Sequence, residues 1–277
     1  MRPFWKFAKP TGPGFGINKN FYLTVLSTHP GLPAIANIAN PKGQGGAVEA
    51  FGVPLVQGND KRLLEQPMQR GKYAIASKDR KTVINLTVAA PQDAGFSGQA
   101  IASSLDPRFH APALIERLQR TTMMLQFRFE SHDPDVYPAL DLLLTLVKKC
   151  GTMTDAVVAD PLSERYLLPD QVFLNPRLDP LVDCREHIFV HEANGRIYTK
   201  GMSKILQSDF LVENCPDSSK QVAGGFLVTL AQAVFMGHPV TRGQKIGGFT
   251  LIEFAPNVLK LEPEGGSLEQ ALQRGIL

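Results

Sequence analysis

The 277-residue chain is 43% hydrophobic and 20% charged, which is typical of a globular protein with enough length for one large core or two smaller ones. Its formal net charge of +3 is too small to indicate a nucleic-acid-binding protein without a localised basic patch. The three cysteines, Cys150, Cys184 and Cys215, are widely spaced and odd in number, which excludes a disulfide framework and a CxxC zinc site.

Residues 1–20 are rich in Pro, Gly, Lys and aromatic residues and predict an irregular arm. We expect no secretory signal, because Pro and Gly interrupt the start MRPFWKFAKPTGPGFG before any apolar run develops. We expect no transmembrane helix, because no apolar run reaches the roughly 18 residues required. A cytoplasmic location is the simplest interpretation. Phe4 and Trp5 either dock a partner or pack on their own domain.

Residues 21–110 predict an N-terminal α+β half. FYLTVLSTHP at 21–30 is typical of a strand that ends in a turn. Residues 70–91 predict a hairpin, in which KYAIAS and TVINLTVAA are the strands. Residues 92–108 have the composition of a loop.

Residues 111–260 predict a C-terminal α+β half, followed by a loose tail at 261–277. The predicted order is a helix at 111–120, an alternating strand at 121–130, a leucine-rich helix that ends near Gly151, a strand at 155–160, a hairpin at 187–202, a strand at 208–216, a helix at 217–237 and a strand at 249–256. Gly224 and Gly225 lie inside a predicted helix, where they indicate close packing.

This order of elements predicts an α+β fold with antiparallel sheets and helices packed on one face. The segments FYLTVLSTHPGLPAI and MMLQFRFESHDPDVYPAL each run from a strand through His and Pro into an apolar helix start. This short similarity suggests that the two halves are related αβ units.

The segment HIFVHEANGRIYTKGM at 187–202 contains two histidines four residues apart, a spacing that binds zinc when it occurs on a helix. Here Asn194-Gly195 follows, and this dipeptide is the strongest short signal for a β-hairpin. On a strand the two histidines would lie about 13 Å apart, too far to share one ion. We therefore expect a hairpin and no metal site.

Motifs for other chemistry are missing from the sequence. It contains no GxSxG nucleophile elbow, no GxxxxGK[ST] phosphate loop and no GxGxxG dinucleotide fingerprint, so we expect no cofactor. The residues left for a catalytic site assembled near the hairpin are His187 or His191, Glu192, Thr199 and Lys200.

Residues 121–255 resemble a group of uncharacterised bacterial domain families that have no assigned activity. The runs that carry this resemblance are LDLLLTLVKKCGTMTDAVVADPLSERYLLPDQVF, HIFVHEANGRIYTKGMSKILQSDFLVEN and GHPVTRGQKIGGF. The matching positions are Asp160, Ser163, Pro169, Tyr198, Thr199, Gly201, Met202, Gly237, Gly243, Gly247 and Gly248. Such a set describes turns and close packing more readily than catalysis, and it makes Tyr198, Thr199, Gly201 and Met202 candidate binding residues.

Three functional hypotheses follow. The first is a non-enzymatic module that binds a protein or peptide, through the returning strand of the hairpin or through Phe4 and Trp5. The second is a hydrolase that uses His191, Glu192, Thr199 and Lys200. The third is an immunity or defence-associated bacterial protein.

Overall fold

The computed structural model describes residues 16–39, 53–55, 61–77, 80–130, 136–172 and 183–276. Its contacts divide the chain into two compact units. The seven-stranded unit comprises residues 19–161 and 165–180, and the six-stranded unit comprises residues 1–18, 162–164 and 181–277. The boundary predicted between residues 110 and 111 therefore falls inside the seven-stranded unit.

The seven-stranded unit is an antiparallel sheet with strand order β2-β3-β4-β5-β1-β6-β7. The strands are β1 Tyr22–Ser27, β2 Val53–Leu55, β3 Gly71–Ala76, β4 Val83–Ala89, β5 Met123–Phe129, β6 Val157–Asp160 and β7 Arg165–Leu167. The helices are α1 Ile35–Ala39, α2 Gly98–Ser104, α3 Pro112–Gln119 and α4 Val136–Met153.

Helices cover this sheet on both faces, as the adjacent residues Val157 and Val158 of β6 show. Val157 packs in a cluster with Leu114 and Leu118 of α3. A Cβ atom at Gly151 in α4 would lie 3.6 Å from Cγ2 of Val158. Because successive side chains of a strand point to opposite faces, α3 and α4 lie on opposite sides of the sheet.

The six-stranded unit has strand order β11-β12-β13-β10-β9-β8, with β10 and β13 parallel and the other neighbours antiparallel. Its strands are β8 Phe189–Ala193, β9 Arg196–Lys200, β10 Asp209–Val212, β11 Lys245–Ile246, β12 Phe249–Ala255 and β13 Val258–Pro263. Helix α5 Lys220–Phe235 packs on β8, β9 and β10, and helix α6 Leu268–Ile276 packs on α5. The core under α5 includes Phe226, Leu227, Leu230, Val234, Phe210 and Phe249.

The predicted α+β class with mostly antiparallel sheets is confirmed, although helices lie on both faces of the seven-stranded sheet and not on one. Helix α2, which forms within the predicted loop at 92–108, and strands β2, β7, β11 and β13 were not predicted, whereas helix α6 forms within the predicted tail. The two segments that suggested a duplication supply β1 with α1 and β5 with α4, and β1 pairs directly with β5. Both segments thus lie in the same unit, so they do not relate one unit to the other.

Within the described ranges, no helix combines the length and the hydropathy needed to cross a lipid bilayer.

Close packing explains why residue 98 is glycine, but it does not explain the glycines at positions 224 and 225. A Cβ atom at Gly98 would overlap the carbonyl oxygen of Leu118, so α2 can approach α3 only with glycine there. A Cβ atom at Gly224 would make an ordinary contact with Val190 at 3.6 Å, and one at Gly225 would meet no atom within 4 Å.

Gly225→Ala should therefore stabilise the protein by roughly 0.5–1 kcal/mol, because alanine loses less backbone entropy in a helix interior. Gly98→Ala is the contrasting variant, and overlap with backbone should make it destabilising by about 1–3 kcal/mol. Urea unfolding followed by circular dichroism measures both. A Gly225→Ala variant less stable than the native protein would contradict this account of α5.

Candidate functional site

A two-residue turn sets the geometry of the hairpin formed by β8 and β9. Asn194 and Gly195 have φ angles of +52° and +72°, the left-handed conformation that such turns require. The resulting register pairs Ala193 with Arg196 and His191 with Tyr198. Directly paired residues share a face, so this register separates the hairpin side chains into two sets.

One set faces helix α5. Val190 belongs to it, because its Cγ1 would lie 3.6 Å from a Cβ atom at Gly224 in α5. Val190 pairs with Thr199, and Glu192 pairs with Ile197. Glu192 forms an ion pair with Lys220 at the start of α5, and Lys220 also pairs with Asp217.

The other set lies on the sheet face away from α5 and includes three rings in contact with one another. His191 stacks on Tyr198 with ring centroids 5.4 Å apart and an interplanar angle of 15°. Phe189 meets His191 edge-on at 4.9 Å. The Arg196 guanidinium, two residues before Tyr198, lies 5.4 Å from the ring centroid of Phe254 in β12. We call these five residues, Phe189, His191, Arg196, Tyr198 and Phe254, the aromatic stripe.

The predicted catalytic residues fall on both sides of the hairpin. His191 and Lys200 lie on the side of the aromatic stripe, whereas Glu192 and Thr199 lie on the side of α5. Nε2 of His191 lies 2.9 Å from the carbonyl oxygen of Ser163, and Nζ of Lys200 lies 2.9 Å from Oε1 of Glu164. The pKa of Lys200 is raised above its usual value, first by its hydrogen bond to Glu164. The hairpin therefore does not bring the four residues to one cleft.

Thr199 belongs to a polar cluster at the end of β9. Its hydroxyl donates to Oδ1 of Asp209 at 3.1 Å and accepts from the backbone N–H of Phe210 at 2.8 Å. The backbone N–H of Met202 donates to the same Asp209 oxygen at 3.1 Å. Asp209 thus joins β9 and the turn after it to the start of β10.

Burial raises the pKa of Asp209 to about 6. The hydrogen bonds from Met202 and Thr199 and the nearby ammonium groups of Lys200 and Lys204 lower the pKa, but their effect is smaller. A carboxyl group with this pKa titrates close to neutral pH, and its environment favours the protonated form.

Gly201 and Lys204 complete the turn after β9. Gly201 has φ +119°, and a Cβ atom there would overlap the carbonyl oxygen of His187. Nζ of Lys204, a fully buried side chain, donates to that same carbonyl oxygen. The ring of His187 stacks on Phe235 of α5 at 5.2 Å. His187 and His191 therefore belong to separate surroundings, one in the core and one in the aromatic stripe.

The residues on which the predicted family resemblance rests are explained by burial, ring packing or turn conformation. Thr199 and Met202 are fully buried, and Tyr198 lies in the aromatic stripe. The five glycines of the pattern all have positive φ, between +56° and +119°, which marks them as turn residues: Gly201, Gly237, Gly243, Gly247 and Gly248. Phe4 and Trp5 lie outside the described residues.

We also looked among the described residues for a metal site and for a reactive cysteine. The described residues contain no group of three His, Cys, Asp or Glu side chains that could hold a metal ion. Burial raises the pKa of the Cys150 and Cys184 thiols to about 12, and it also raises that of Cys215. A thiol with a raised pKa is a poor nucleophile, because the thiolate is the reactive form.

Four residues of these sites were not predicted from the sequence: Phe189, Arg196, Phe254 and Asp209. The alternation of the hairpin could have placed Phe189 and Arg196 on the face of Tyr198. Phe254 lies beside an irregularity in the pairing of β12 with β13, between Glu253 and Ala255, and no local pattern reports its contact with β9.

Comparisons of the chain with protein-family models, curated proteins and solved structures found no match. The resemblance of residues 121–255 to bacterial domain families stays a prediction.

The raised pKa of Asp209 predicts how stability depends on pH. The folded state binds the Asp209 proton more tightly than the unfolded chain does, so this group stabilises the fold below about pH 4 and loses that contribution as the pH rises past 6. The difference between about 6 and the ordinary 3.8 corresponds to roughly 3 kcal/mol. Asp209→Asn keeps the Oδ1 acceptor and cannot ionise.

We expect the stability of Asp209→Asn relative to the native protein to rise by roughly 2 kcal/mol between pH 4 and pH 7, with the rest of the change below pH 4. Urea unfolding at several pH values measures this difference. Asp209→Ala is the control, because it removes the acceptor as well and should be destabilised at every pH. A stability difference for Asp209→Asn that does not change with pH would show that Asp209 is not buried as described.

Proposed function

We propose that this protein is a non-enzymatic module that binds a protein or peptide partner, and that the aromatic stripe is its contact surface. The observation that carries the proposal is the exposure of Phe189 and Phe254. These two residues are 46% and 45% exposed, and both belong to the aromatic stripe. Large aromatic side chains left in water on one surface are typical of a binding site.

The composition of the stripe supports this role. Tyr, Arg and Phe are enriched in the centres of protein interfaces, where a few such residues supply most of the binding free energy. Contacts between the rings restrict their motion, since His191 stacks on Tyr198 and meets Phe189 edge-on. Side chains that are already ordered lose little conformational entropy when a partner binds.

The charges around the stripe favour a partner that is not strongly charged. Arg196 pairs with Glu213 at 2.8 Å, and Lys260 pairs with both Glu213 and Glu262. Lys200 pairs with Glu164. Because each of these cations has a carboxylate neighbour, the surface offers little net charge to a phosphate backbone, and nucleic acid is not the expected partner.

The hydrolase alternative has less support. Its four residues lie on opposite sides of the hairpin, and each takes part in a structural hydrogen bond or ion pair. An immunity or defence-associated role is compatible with a protein-binding surface, and the neighbouring genes would test it. A contribution of Phe4 and Trp5 to binding stays a prediction.

Selection of peptides from a phage-displayed random library on the full chain tests the proposal. We expect enriched peptides whose affinity falls at least tenfold for the double variant Phe189→Ser/Phe254→Ser, because both rings would be lost from the contact. Phe109→Ser is the matched control. Phe109 is 79% exposed in the seven-stranded unit, so this variant removes an exposed ring outside the stripe.

Failure to enrich any peptide on the native chain would contradict the proposal. Equal binding by the double variant and the native chain would contradict it as well, because the contact surface would then lie elsewhere.

A further inference from the structure

Strand β8 has an open outer edge. It is the terminal strand of the six-stranded sheet, paired with β9 on one side, and no strand among the described residues pairs with its other side. β8 runs over five residues, Phe189–Ala193. A strand edge of this kind presents backbone N–H and C=O groups that another strand can satisfy.

The turn determines which backbone groups point outward. In a hairpin closed by a two-residue turn, the residues that flank the turn exchange both of their backbone hydrogen bonds. Here these residues are Ala193 and Arg196, so Phe189, His191 and Ala193 direct their N–H and C=O groups toward β9. The N–H and C=O groups of Val190 and Glu192 therefore point to the open edge.

The other three edge strands each have three or fewer described residues. β2 at one end of the seven-stranded sheet has three residues, Val53–Leu55, and one of them is Pro54, which has no N–H to donate. β7 at the opposite end also has three residues. β11, at the far end of the six-stranded sheet from β8, has two, one of which is an exposed lysine.

Short length, proline and lysine are features by which proteins protect edge strands from pairing. β8 has none of them. Its one charged side chain, Glu192, is held by Lys220 on the side of α5. Among the described edge strands, β8 is thus the longest and the least protected, and it carries the exposed ring of Phe189.

We propose that the partner binds by strand addition, placing an extended peptide segment alongside β8 so that it hydrogen-bonds to the outward groups of Val190 and Glu192. This inference rests on the proposed function and specifies its binding mode. Strand addition obtains affinity from backbone hydrogen bonds and specificity from alternate side chains.

The aromatic stripe defines the partner's chemistry. Every second side chain of the added strand lies on the face of Phe189 and His191, so these positions are aromatic or aliphatic. The intervening side chains lie beside Val190 and Glu192. The segment is therefore an alternating apolar and polar peptide with little net charge, since the cations of this surface already have carboxylate neighbours.

A second copy of this chain is a poorer occupant of the edge. Two five-residue strands paired about a twofold axis bury far less than the roughly 1,000 Å² expected of a stable interface. Such pairing would also set His191 against its own copy. A partner peptide can continue beyond β8 and cover more of the stripe.

The variants Glu192→Pro and Glu192→Ala test the binding mode with a fluorescein-labelled peptide from the phage selection. Both lose the ion pair with Lys220, but only proline removes the outward N–H group. We expect Glu192→Ala to bind within about threefold of the native chain and Glu192→Pro to bind at least tenfold more weakly. Thermal unfolding of both variants reports whether the proline variant is folded.

A second measurement uses the native chain and does not depend on the proline variant. Amide hydrogen exchange with and without the peptide should show new protection at Val190 and Glu192. The amide of His191 should be protected in both states, because it already bonds to β9. Absence of new protection at Val190 and Glu192 would overturn strand addition.

The outcomes separate the two proposals. Binding that is lost in Phe189→Ser/Phe254→Ser but retained in folded Glu192→Pro overturns strand addition and leaves the proposed function standing. Failure of the selection overturns both. A concentration-dependent dimer of the native chain in light scattering that Glu192→Pro abolishes would make a second copy the occupant and overturn the peptide assignment.

Discussion

The register of β8 against β9 is the constraint on which the surface of the six-stranded unit depends. A turn of two residues, Asn194 and Gly195, leaves one way to pair the strands, and a shift by one residue would exchange the two faces. The observed register directs Val190 and Thr199 toward α5 and leaves His191 and Tyr198 on the opposite face. It also decides which backbone groups of β8 remain available at the edge of the sheet.

The segment after β9 holds several of the residues on which the predicted family resemblance rests, and each of them has a structural role. Gly201 makes room for the carbonyl oxygen of His187, and Lys204 donates to the same oxygen. Met202 and Thr199 donate to Asp209, whose buried carboxyl group holds the turn against β10. These contacts fix the backbone at the end of the hairpin, next to the aromatic stripe.

The aromatic stripe and the open edge of β8 are parts of one surface. Phe189 and His191 belong to both, since they lie on the edge strand and on the face away from α5. A binding surface that joins a row of rings to free backbone groups can recognise a peptide by its extended conformation and by its apolar side chains together. The paired charges around the surface add little net attraction, so in the proposed binding mode shape and apolar contact would set the preference for a partner.

Local patterns in the sequence determined much of the fold. The α+β class, both hairpins, the leucine-rich helix α4 and the turn at Asn194-Gly195 follow from periodicity and turn chemistry, which act over a few residues. The same turn predicted a strand that carries both His187 and His191, but β8 begins at Phe189, and His187 lies before it in the core. Tertiary structure decided the unit boundary, the formation of α2 and β13, the burial of Asp209 and the contact of Arg196 with Phe254. Each of these depends on residues far apart in the chain, and no local pattern specifies which distant strand or helix a segment will contact.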